Sequence, residues 1–172
     1  KIKKLVATLL AATMVMAMGV TAFAAETLTN GTYTANQNLY KNSNCSTTSM
    51  GDAAVNDLKA EIVVNGDTAT LKVHTHEITY LGLTGHLGAM SLKVNGTTYT
   101  GVLSKGEVED GDYAGETDYI YTFTGVPTSA ITEGAVLEGS YTAKVSIMPM
   151  KATGYLLSLI HISEPTRLRR IS

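Results

Sequence analysis

From about Gly31 onward, apolar and polar residues alternate in short runs separated by Gly, Asn and Asp, and the helical period is nearly absent. Alternation with period two is the pattern of a strand with one buried face. The clearest run is Ala60-Glu61-Ile62-Val63-Val64, followed by Asn65-Gly66 and then Asp67 to Val73. A second such unit runs from Met90 to Val94, through Asn95-Gly96, and on from Thr97 to Leu103. Asn-Gly suits a two-residue type I′ turn, in which both central residues take positive φ, so two hairpins are predicted. Gly31 to Tyr40, Ile78 to Leu83, Tyr119 to Phe123 and Ser140 to Met148 read as further strands. The expected fold is therefore all-β, an immunoglobulin-like antiparallel β-sandwich of about 7-8 strands with one short helical turn.

The alternation also assigns faces. Ala69, Leu71 and Val73 point one way, into the core, while Thr68, Thr70, Lys72 and His74 point the other. Tyr141, Ala143, Val145 and Ile147 share the inward face of the last strand on the same reasoning. The β pattern breaks at Ser49-Met50-Gly51-Asp52-Ala53-Ala54-Val55. Ser49, with Asp52 three residues on, resembles an N-cap with a reciprocal acidic partner, although a plain connector between strands is the competing reading. The acidic stretch Glu107 to Asp118 reads as a solvated loop.

Both ends stand apart from this pattern. Lys1-Ile2-Lys3-Lys4 is a basic head, Leu5 to Val20 an apolar stretch, and Ala22-Phe23-Ala24 a small-residue cleavage site, the layout of a secretory signal peptide over residues 1-24. The apolar run falls short of the roughly 20 residues that span a bilayer. The mature chain is expected to begin at Ala25 or Glu26, and the protein to be secreted or held at the cell surface. At the other end, Leu157 to Arg167 reads LSLIHISEPTR and looks like the translation of a transposon end used in preparing DNA for sequencing. No Arg occurs from Lys1 to Leu156, yet Arg167, Arg169 and Arg170 crowd the last positions. Residues 157-172 are thus expected to be a non-native tail, and 25-156 one domain truncated at its C-terminus.

Between those limits the chain carries seven Lys against fourteen Asp and Glu, a net charge of −7, compared with −2 for the whole sequence. Without Arg or a basic cluster, it lacks the electrostatic footprint of a nucleic-acid binder. Cys45 stands alone, so no disulfide framework is expected. His74 and His76, spaced to share one side of a strand, and His86 in a Gly-flanked turn are minor metal candidates against exposed polar positions. No Gly-x-Ser-x-Gly elbow or Gly-rich phosphate loop occurs, and no enzyme is expected.

Several features taken together resemble a NEAT domain, the haem-binding module of Gram-positive cell surfaces. They are the leader, Gly31-Thr32-Tyr33-Thr34, Ser49-Met50 opening a short turn, an Asn-Gly hairpin, Tyr80-Leu81-Gly82-Leu83-Thr84-Gly85, and the closing Lys144-Val145-Ser146-Ile147. The resemblance implies haem lying between a short helix after the first strand and a hairpin of the last two strands. It implies Ser49 as the partner of a haem propionate, Met50 as an apolar wall and Tyr155 as the iron ligand. Haem or a haemoprotein, and other surface haem-relay proteins, are the implied partners in iron acquisition. The chain departs from the family in having no Tyr-x-x-x-Tyr; position 159, four after Tyr155, is Leu. An adhesin or carbohydrate-binding β-sandwich without haem is the alternative.

Overall fold

The computed structural model describes residues 27–80, 82–145, 148–149 and 153–163. The expected signal peptide and Ile147 lie outside them. The described elements are β1 (Gly31–Tyr40), a 3-10 helix (Met50–Ala54), β2 (Lys59–Asn65), β3 (Thr68–Thr75), β4 (Ile78–Tyr80), β5 (Leu83–Val94), β6 (Thr97–Thr100), β7 (Val102–Glu107), β8 (Thr117–Pro127), a second 3-10 turn (Thr128–Ala130), β9 (Ala135–Val145), β10 (Met148–Pro149) and β11 (Thr153–Ser163). The all-β antiparallel class is as expected. Among the described residues the strands number eleven, because short edge strands add to the long ones the alternation marks.

The hydrogen-bonded order is β4-β5-β9-β11-β1-β2-β3-β8-β7, with β6 on β5 and β10 on β9. One strand carries the path between the two halves: Gly31–Asn36 of β1 pair with β2, Thr34–Tyr40 pair with β11, and a register shift falls between Thr34 and Asn36. Such an irregularity bends the strand and lets it serve both layers. The layers close on a common core in which Leu39, Ile62, Leu71, Val73, Leu92 and Phe123 are fully buried. Each such side chain contributes about 1.5–3 kcal/mol through removal from water. A hydrogen bond also crosses the layers, from the Tyr121 hydroxyl to the Leu87 carbonyl at 2.5 Å.

Face assignment in β3 follows the alternation, with Ala69, Leu71 and Val73 buried. In β9, Tyr141 is buried and Ala143 partly so. The two hairpins differ from each other. Val94 pairs with Thr97 around Asn95 and Gly96, at φ 50° and 81°, as a type I′ turn requires. In the other, Asn65 itself pairs with Thr68, so Gly66 and Asp67 form the loop and only Gly66 has positive φ, at 62°. That pattern fits type II′, which needs positive φ only at its first central residue. The Gly66 amide donates to Asn30 Oδ1 at 2.7 Å, tying this turn to the start of β1.

The acidic stretch is only partly a solvated loop. Val108 is buried, and Asp118 lies buried in β8, where its Oδ2 is 2.6 Å from His74 Nδ1. Strand β11 runs across the boundary at Leu156. Leu157 and Leu159 are fully buried, pair with Leu137 and Ala135 of β9, and face Leu39 and Gln37 across the ladder to β1.

Candidate functional site

The short helix Met50–Ala54 is fixed at its start by side chains. Ser49 is its N-cap, with extended backbone, and accepts from the Gly51 amide at 3.4 Å. Asp52 does not reach back to close a reciprocal box as the sequence pattern implies. Its Oδ1 instead accepts from the Leu39 amide at 2.6 Å, and Ser49 N donates to Leu39 O at 2.7 Å, so the helix is sewn to the end of β1. The Tyr141 hydroxyl sits at the same helix start, 2.8 Å from Ser49 Oγ, and accepts from Gly51 N at 3.0 Å. A Cβ at position 51 would come within 2.8 Å of Tyr141 Cζ, which is why glycine stands there.

Between this helix and the sheet edge formed by β4, β5 and β9 lies a cavity of about 620 Å³. Its walls are largely apolar: Met50 and Ala53 from the helix, Ile78 from β4, Leu83 and Leu87 from β5, and Ala143 from β9. Met50 and Leu83 are 74% and 56% exposed, large apolar side chains left open to water. Thr79, His86, Tyr141 and Lys144 are the polar residues of the lining. Ser49 is buried one residue behind the wall that Met50 and Gly51 form.

Tyr155 lies in β11 with its backbone opposite Gly139 of β9; its side chain is outside the described residues. The β9 residues that line the cavity begin two positions further on, at Tyr141.

The histidines are arranged otherwise than the sequence implies. His74 is held by Asp118, whereas His76 follows the end of β3, is 1% exposed and stacks on Tyr113 with ring centroids 3.7 Å apart, so the two share no exposed face. His86 lies within β5, not in a turn. Its ring stacks on Tyr119 at 4.2 Å and 7°, and its Nδ1 is 2.7 Å from Leu87 O. A histidine between glycines reads as a turn in sequence; nothing local reveals that β5 continues through it. Among the described residues no three His, Cys, Asp or Glu groups come together as a metal site, and no helix is long and apolar enough to cross a membrane.

No protein-family model matches the chain, and no curated protein matches it in sequence. Among solved structures it is similar to the NEAT5 domain of IsdX2, a B. anthracis hemophore in complex with heme, at 14% identity and a TM-score of 0.48, over 81% of this chain and 100% of that one.

Proposed function

We propose that this chain is a haem-binding module, exported and held at a cell surface, that captures or relays haem in iron acquisition. The observation that carries the reading is the cavity beside the Met50–Ala54 helix, with apolar walls from both sides and exposed Met50 and Leu83. Its volume of about 620 Å³ falls within the range of roughly 300–1,000 Å³ usual for small-molecule sites. Exposed apolar side chains at a cleft are costly in water and favour an apolar occupant.

The residues present fit haem. A flat apolar macrocycle would lie against Met50, Ile78, Leu83, Leu87 and Ala143, and the Lys144 ammonium suits a propionate. Ser49, hydrogen-bonded to the Tyr141 hydroxyl at the helix start, is the propionate partner that the family resemblance implies. When bound, the iron supplies Lewis acidity, and Tyr155 is the family-implied phenolate for it. Binding and release are the whole chemistry, and no reaction follows.

Titration with haemin, followed in the Soret band, tests the reading. Saturable one-to-one uptake that Ala143→Trp blocks by filling the cavity, and that Ser49→Ala weakens, supports it. A folded chain that leaves the band of free haemin unchanged overturns it and favours the adhesion or glycan-binding alternative.

A further inference from the structure

Met50 is the apolar wall residue that carries chemistry of its own. It opens the short helix, lines the cavity and is 74% exposed, whereas Met90, within β5, is 1% exposed. The other apolar side chains of the lining, Ala53, Ile78, Leu83, Leu87 and Ala143, are plain hydrocarbon and resist mild oxidants. A thioether does not, and its exposure decides whether a small oxidant reaches it. Of Met50 and Met90, Met50 is therefore the one open to attack, and it stands on the wall against which an apolar ligand would lie.

With hydrogen peroxide as oxidant, a lone pair of the Met50 Sδ attacks one peroxide oxygen, and an S–O bond forms as the O–O bond breaks. The sulfur gives up two electrons, and the departing hydroxide takes the proton of the transferred oxygen and leaves as water. The product is a polar, chiral sulfoxide in place of a flexible apolar side chain. An apolar ligand pressed against that oxygen strips its water and offers no donor in return, which opposes binding. The fold is spared, because the helix is fixed by Ser49 and Gly51 on Tyr141 and by Asp52 on Leu39, contacts in which the Met50 side chain has no part. Oxidation thus acts on the cavity and leaves its frame intact.

We infer that Met50 is an oxidation site, whose conversion to the sulfoxide closes the cavity to its ligand and whose reduction reopens it. The inference rests on the haem reading proposed above for the identity of the ligand, and adds to it a reversible redox control of uptake.

The test treats the full chain with hydrogen peroxide, removes the peroxide with catalase, maps the oxidised residues by peptide mass spectrometry and then titrates haemin. The expected result is sulfoxide at Met50 well before Met90, an unchanged circular dichroism spectrum, and haemin affinity about tenfold weaker in step with the fraction of Met50 oxidised. Methionine sulfoxide reductase with a dithiol is expected to restore the affinity. Met50→Leu keeps Cys45 and the other methionines, and, compared with its own untreated sample, is expected to show no peroxide effect. Oxidation of Met50 no faster than Met90, or full haemin affinity with Met50 oxidised, overturns the inference while leaving the haem reading standing. Absence of haemin uptake by the untreated, folded chain overturns both. If Met50→Leu fails to fold, the mapping and the recovery with the reductase decide on the unmodified chain alone.

Discussion

The Tyr141 hydroxyl lies 2.8 Å from Ser49 Oγ, joining residues 92 positions apart in sequence. This contact docks the Met50–Ala54 helix on β9 and thereby sets one wall of the cavity against another. Replacing Tyr141 by Phe leaves the Gly51 amide with only its long bond to Ser49, in a buried setting. The expected cost is about 1–3 kcal/mol, read as a lower urea midpoint with unchanged slope. Gly51→Ala, which drives a Cβ against Tyr141, is expected to cost a similar ~1–3 kcal/mol. An unchanged midpoint in both would contradict the docking role.

The two hairpin turns separate by substitution. Gly66→Ala and Gly96→Ala meet no neighbour within 4 Å, so each isolates backbone strain, about 1–2 kcal/mol. Asn95, at φ 50°, is one of the few non-glycine residues at positive φ, whereas Asn65 is not among them. Asn95→Ala is therefore expected to destabilise more than Asn65→Ala in parallel denaturation curves, and equal effects would refute the difference in turn type.

Leu157 and Leu159 test whether the end of β11 belongs to the core. Each is fully buried, and each change to Ala is expected to cost about 2–5 kcal/mol. Deleting residues 157–172 opens the edges of β1 and β9 to other chains, so concentration-dependent association by light scattering is expected. A shortened chain that stays monomeric and equally stable would show that β11 can be spared there.

What the sequence discloses here is local. The alternation of Ala69, Leu71 and Val73 and the Asn95-Gly96 turn are visible because strand faces and tight turns depend on neighbouring residues. The Ser49–Tyr141 contact, the His74–Asp118 pair and the burial of His76 against Tyr113 depend on which strands meet, and no spacing within one segment records that. Asp52 shows the same limit: its spacing from Ser49 implies a capping partner, yet tertiary packing brings the Leu39 amide nearer. His86 is hidden because its flanking glycines imitate a turn. In Gly88 they serve packing instead, since a Cβ there would lie 2.2 Å from Thr142 Oγ1.

High pH probes the layer contact. Tyr119 is pushed up to about 12, chiefly by burial and then by its hydrogen bond to Glu77, and Tyr121 to about 12 by burial and then by the charge of Tyr119. An unfolded tyrosine ionises near 10, so between about pH 10 and 12 the unfolded chain has released protons that the folded chain retains. Stability from these groups is complete below pH 10 and is lost as pH rises through 12. Phenolate absorbance with parallel denaturation should show Tyr119 and Tyr121 titrating late and a stability decline in that window. All tyrosines titrating together near 10, with flat stability, would contradict this.

The central claim is that the cavity beside Met50–Ala54 takes haem, and the most direct measurement is a haemin titration of the full chain read in the Soret band. The account predicts a saturable one-to-one shift that Ala143→Trp abolishes without unfolding the protein. A folded chain that leaves the haemin spectrum unchanged, or a shift that survives the filled cavity, would contradict it.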